Sequence, residues 1–356
     1  MKKRMVVFVI FFLVILTSVS ACTGEDEKIA GPTGNPEEND EVRQASGGPY
    51  KEALVYVNNK DSNNLQVIHP TTHEVVRNID VGEKPTYNEI SPKGNNVYVV
   101  NSKSEDVSII DAKTAEVIKT IPVGKTPKGI NFTPDGKWVY VVNEGDNTVT
   151  VIDNESMEKT STIDVGESPH NGVASVDSST FYVTNTGSDS ISVIDTASQQ
   201  VTNTIKEVEG SPHNINITPD GKTLLVTLTQ TSEVGVVDIK DAEMSEVIPV
   251  GTGHHVLDVT KDGKYAYVGN IGTNFVSVID ISAEKEIKQI EVGKGPHGII
   301  VSANGDAVYA AISGENKVTV IDRKTNEVVD NIDVDSFPFF ISTLESHSLD
   351  KKRTDN

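Results

Sequence analysis

Short apolar runs flanked by Gly, Pro, Asn or Asp recur along the chain, and no helical 3.6-residue periodicity joins them. Tyr140-Val141-Val142-Asn143 leads through a polar turn into Val149-Thr150-Val151-Ile152-Asp153, and Tyr182-Val183-Thr184-Asn185 leads in the same way into Ile191-Ser192-Val193-Ile194-Asp195. Runs of this length, rich in β-branched residues and bounded by turn residues, are strands. The tyrosine position recurs at Tyr56, Tyr98, Tyr140, Tyr182, Leu225, Tyr267 and Tyr309, spaced by 42 residues with a single 43. The closing aspartate position recurs in step at His69, Asp111, Asp153, Asp195, Asp238, Asp280 and Asp322. A repeat of this length built only from short strands specifies an all-β, seven-bladed β-propeller with one four-stranded antiparallel blade per repeat.

Within a repeat, a corner such as Val123-Gly124-Lys125-Thr126-Pro127 precedes an innermost strand, Gly129 to Phe132. The turn Thr133-Pro134-Asp135-Gly136 follows, where proline presets φ and glycine permits φ > 0. A second strand holds the tyrosine motif, a third ends at the aspartate, whose carboxylate suits an Asx-type turn, and a fourth runs outermost. The first copy begins at the tyrosine strand and lacks an innermost one. After Asp322 the chain continues into Phe339-Phe340-Ile341-Ser342-Thr343, which aligns with the innermost strands of other copies. The expected propeller therefore spans residues 51–346, closed by a C-terminal strand that completes the first blade, with 347–356 as a tail. These units resemble the YVTN β-propeller repeat family, whose name Tyr182-Val183-Thr184-Asn185 spells. The resemblance implies the fold and an exported or surface protein. It implies no particular activity, because one scaffold hosts many functions.

Charge narrows the partners. With 31 basic against 52 acidic residues and a formal charge of −21, the chain repels nucleic-acid phosphates and anionic headgroups and favours cations and basic partners. At the N-terminus, Lys2, Lys3 and Arg4 precede an apolar run from Met5 to Leu16, too short to span a bilayer comfortably and suited to an export signal. Val19-Ser20-Ala21-Cys22 resembles the bacterial lipoprotein signal, which implies removal of residues 1–21, lipidation of Cys22 and anchoring to the outer face of the cell membrane. Residues 22–50 carry Gly, Pro and acid with almost no apolar content, the composition of a flexible tether. Cys22 is the only cysteine, so no disulfide framework is available.

The residue after the corner proline breaks the structural monotony. In chain order this column reads Thr86, Lys128, His170, His213, His255, His297 and Phe339, and His254 stands beside it in place of a proline. Four of the eight histidines thus share one position in four consecutive blades. Ring symmetry sets them in an arc at one end of the central channel. Three readings follow. Converging neutral imidazoles suit a divalent transition metal such as Zn, Cu or Ni. Together with Lys128 they also suit an anion or other small ligand. Or they line a wet polar rim. In outline the arc resembles the histidine ring of nitrous oxide reductase, but no cupredoxin domain or second cysteine is present to build that enzyme's electron-entry site. Propeller lactonases use acidic residues and metals at the channel end, and Glu89, Asn131, Asn216 and Asp258 share the inner-strand position that such a metal-dependent hydrolase would recruit. Inner-strand polar groups are also expected of any propeller. His69, His73 and His347 fall outside the column and read as surface residues. The sequence therefore favours a binding platform for a protein or small ligand, with an enzyme at the same end as the alternative.

Overall fold

A computed structural model describes residues 54–343 as 28 strands, β1 to β28, with no helix among them. They form seven four-stranded antiparallel sheets. In six of them four consecutive strands lie in order, whereas the first blade sets β28 (Pro338–Thr343) beside β1 (Val55–Asn59), β2 (Asn64–Ile68) and β3 (Val75–Asp80), in the order β28-β1-β2-β3. The sheet edges at the axis are β28 (Pro338–Thr343), β4 (Pro85–Ile90), β8 (Pro127–Phe132), β12 (Pro169–Ala174), β16 (Pro212–Ile217), β20 (His254–Val259) and β24 (Pro296–Val301). The expected closure is present: β28 pairs with β1 (Val55–Asn59), Ile341 facing Val57 and Thr343 facing Val55. A second tie crosses the same seam, where His73 Nδ1 lies 2.6 Å from Asp330 Oδ2 in the last blade. His73 thus joins the first and seventh blades instead of merely facing solvent. Cys22, the tether and His347 lie outside the described residues.

The core is distributed between blades. Seven apolar clusters are present, each drawn from the facing sheets of neighbouring blades, as where Tyr140, Val142 and Val149 meet Phe181, Val183 and Ile194; the cluster between the second and third blades also takes in Phe339 of the first. Second and third strands are covered on both faces, which is why they read as nearly continuous Val, Tyr and Ile. Outer strands face solvent and carry charges and threonines. Three tyrosines of the second strands reach across an interface to the next blade's outer turn: Tyr98 Oη donates to Asn154 Oδ1 at 2.9 Å, Tyr267 to Asn326 Oδ1 at 2.6 Å, and Tyr309 to the Pro70 carbonyl at 3.4 Å.

The motif asparagine is a structural clamp. Asn143 Nδ2 donates to Thr148 and Thr150 Oγ1 at 3.1 and 3.0 Å on the neighbouring strand, while its Oδ1 accepts the Gly124 N–H at 3.1 Å. Asn185 makes the same three bonds with Ser190, Ser192 and Gly166. The corner glycine is required by this contact, since a Cβ on Gly124 would stand 2.6 Å from Asn143 Cγ. Blades with Leu228 or Ile312 in place of the asparagine have corners of another shape, with Gly210 and Gly293 at φ +105° and +112°. The third-strand aspartates accept turn N–H groups as expected, Asp111 from Lys113 and Thr114, Asp153 from Ser156. His69, in the same column, does this with its ring, Nδ1 accepting from Thr71 and Thr72.

Candidate functional site

Each inner strand opens with its corner residue in the left-handed region, from Lys84 at φ +54° and Thr126 at +47° to Phe337 at +59°, followed by the proline or His254. A register shift follows in every inner strand; in β12 it falls between Pro169 and Gly172. The two residues in the irregular stretch, the column residue and its successor, are thereby freed from regular alternation. Around the axis the column runs Phe339, Thr86, Lys128, His170, His213, His255 and His297. The strand β20 places the backbone of His255 in it and that of His254 beside it, and their side chains lie outside the described part of the structure.

The described rings pack together instead of standing around a wet opening. His170 stacks on His213 with centroids 3.4 Å apart and planes 27° apart, and His297 lies 3.8 Å from Phe339. His170 and His297 are 4% and 2% exposed. The cause is one residue further along: Tyr87, 1% exposed, lies 4.3 Å from Phe340, 6.2 Å from Phe339 and 6.0 Å from His170, so a side chain of the second blade touches the first and the fourth. An aromatic plug therefore fills the axis beneath the column. The rim expected from ring symmetry becomes a packed layer where Tyr87 reaches from the second blade toward the first and the fourth.

Two ammonium groups flank this layer. Lys60, in the turn after β1, holds Nζ 4.3 Å from the Phe339 ring centroid and 5.7 Å from that of Phe337. Lys128 pairs with Glu144 at 3.2 Å. Burial, and then the charge of Lys128, lowers the Lys60 pKa. Burial first, then His213, Lys128 and His297, holds His170 well below the ordinary imidazole range, and burial, then His213 and Lys60, brings His297 to about 3. Burial raises the Tyr87 hydroxyl, opposed by the Asn214 side chain, whose contact falls short of hydrogen-bond geometry. His170 and His297 are thus neutral at physiological pH, and the charges of Lys128 and Lys60 help to keep them so.

Lys60 is the functional candidate that the histidine column hides. It occupies a different repeat position, shared with Ser102, Glu144, Thr186, Thr229, Ile271 and Ser313, where it is the only base. Tyr87 and Phe340 follow the column by one residue and show no repeat pattern of their own.

Of the deeper polar positions, Asn131 Oδ1 accepts the Ala174 N–H at 3.4 Å, and Asn216 Nδ2 donates to Asp258 Oδ1 at 2.8 Å. Asp258 also accepts the N–H groups of Val259 and Val301. These groups stitch neighbouring inner strands together. Glu89 occupies the corresponding place on β4 and is partly buried. Among the described residues, no three His, Cys, Asp or Glu side chains converge in a metal-holding group.

Seven four-stranded antiparallel blades in a closed ring define a seven-bladed β-propeller. The chain belongs to the YNCE-like β-propeller family, whose model matches residues 46–348. No curated protein matches it in sequence. Hydrazine synthase of Kuenenia stuttgartiensis is similar in structure, with TM-score 0.68 and 23% identity over 74% of this chain and 93% of that one. So is dihydro-haem d1 dehydrogenase NirN in complex with DHE, with TM-score 0.66 and 13% identity over 85% and 77% of the two chains. A Bacteroides fragilis protein provisionally described as a 6-phosphogluconolactonase has TM-score 0.72 and 18% identity over 84% and 100%. At these identities the likeness is one of fold, and the roles differ from one neighbour to the next.

Proposed function

We propose that this chain is an exported, lipid-anchored propeller that presents the histidine-bearing end of its axis as a recognition site for a small ligand or protein partner. The observation that carries this reading is the plug. With Tyr87, Phe339 and Phe340 closing the axis under His170, His213 and His297, that end is a prepared surface and not a conduit. The hydrolase alternative needs Asn131, Asn216 and Asp258 available to a substrate, and all three are engaged between inner strands. Recognition by imidazoles remains open to either sign of ligand: a divalent metal such as Zn, Cu or Ni held as neutral-ligand complex, or an anion. The anchor rests on Cys22 behind its apolar run. Hydrogen exchange of the full chain with a panel of Zn(II), Cu(II), Ni(II) and small oxyanions tests the site. Ligand-dependent protection is expected at the starts of β4, β12, β16 and β24. Protection confined to the opposite end of the ring, or none with any member, overturns it. The anchor has its own test: the wild-type protein should enter the detergent phase on phase separation and a Cys22→Ala variant the aqueous phase.

A further inference from the structure

Resting on that reading of the site, we infer that the ligand is a small oxyanion, a carboxylate or phosphate-type group, seated between Lys60 and Lys128 over the Thr86 hydroxyl and bordered by the imidazoles. Three independent features converge on this. The first is placement. Lys60 lies on the first blade, Thr86 on the second and Lys128 on the third, so a buried hydroxyl sits on the blade between the two that carry ammonium groups. The second is that the Thr86 Oγ1, wholly buried, has no hydrogen-bond partner among the described residues. A buried hydroxyl left unpaired is costly, and its donor is what an oxyanion would take up. The third is charge. Lys60 has no carboxylate within ion-pair distance among the described residues; its nearest recorded partners are the faces of Phe337 and Phe339. Lys128 has only Glu144. Asp61, whose charge also acts on Lys60, is held by Lys84 at 2.9 Å, and Glu83 in the neighbouring corner by Lys103 at 2.5 Å.

The same charges argue against a cation. A divalent metal at the imidazoles would enter a field set by Lys60 and Lys128, whereas an oxyanion is drawn by it and gives His170 and His297 a reason to take up a proton. Glu144 then acts as a built-in competitor that occupies Lys128 when no ligand is bound.

Calorimetry on the full chain in detergent tests this with sulfate, standing for phosphate-type ligands, and oxalate, standing for carboxylates. Both keep a constant charge between about pH 5.5 and about pH 8, so any pH effect belongs to the protein. Saturable binding is expected for at least one, and the preferred arm identifies the chemical source. Lys60→Gln and Lys128→Gln should each weaken it at least about tenfold, and Glu144→Gln should strengthen it. Lys285→Gln, on an outer strand, should change nothing. A gain in the Glu144 variant is the result that a purely structural role for these residues would not give. Absence of saturable binding by both anions, or binding indifferent to both lysine changes, overturns the inference. If Zn(II) is instead retained, more tightly as pH rises, the ligand class is wrong while the recognition site stands. If neither charge of ligand binds, both fall.

Discussion

At the residue scale, the Asn-Gly clamp shows how a repeat motif becomes geometry. Gly124→Ala drives a methyl group into Asn143 and should cost about 1–3 kcal/mol, as overpacking a tight contact does. Asn143→Ala leaves the Gly124 N–H without its side-chain acceptor and should cost about 1–3 kcal/mol. Because each change removes what makes the other harmful, the double variant should be clearly less destabilised than the sum, measured by denaturant unfolding. Additive losses would mean that the glycine is there for another reason. The buried histidine His297 gives a second prediction. Its folded pKa of about 3 lies below the unfolded value near 6.5, so the unfolded chain binds more protons between those limits. Stability from this ring is complete above about pH 6.5 and is lost as pH falls toward about 3. Between about pH 6.5 and pH 5, where carboxylates scarcely titrate, His297→Gln should flatten the fall in unfolding midpoint. An unchanged slope would show that the ring is not buried in its neutral form.

At the element scale, the sheet that matters is the one made from both ends of the chain. A chain ending at Asp333 loses β28, leaves β1 with an open edge and exposes Val57 and the Tyr87 plug, whereas one ending at Thr343 keeps every β1 partner. The shorter chain should fail to give a cooperative unfolding transition and the longer should match the full protein; equal midpoints would remove β28 from closure. This closure is legible in the sequence because Phe339 to Thr343 repeats the inner-strand pattern and the first copy lacks it. The four strands per blade are legible for the same reason, since turn residues and β-branched alternation are local properties. The histidine column is legible as a column. Its packing is not, because Tyr87 and Phe340 act through their reach across the axis, which no repeat position records. Lys60 is hidden in another way: it joins the site from the turn after β1, a different column from the histidines. Asn131, Asn216 and Asp258 are legible as polar, but their partners lie about one repeat away, on neighbouring inner strands.

At the scale of the whole molecule, stability is a ring property, for each of the seven apolar clusters bridges neighbouring blades and none belongs to one alone. Opening any interface exposes one complete cluster, and the chain resists this best where a single sheet contains strands from both of its ends. Circular permutation separates the two contributions. Thr343 faces Val55, so a short turn of the Thr-Pro-Asp-Gly kind joins the native ends as β8 is joined to the next strand, Trp138–Asn143. One permutant is then opened in the turn at residues 134–136, which recreates a blade shared between the new ends. The other is opened in the corner at residues 124–126, so that every blade is continuous and only side-chain packing holds the ring shut. Both retain all seven clusters. The first should unfold at close to the native rate, and the second at least about tenfold faster, because an interface can part without first peeling a strand from a sheet. Stopped-flow unfolding in denaturant gives the two rates directly. If they are equal, the shared blade adds nothing to what the packed interfaces already supply, and closure is a matter of side chains alone.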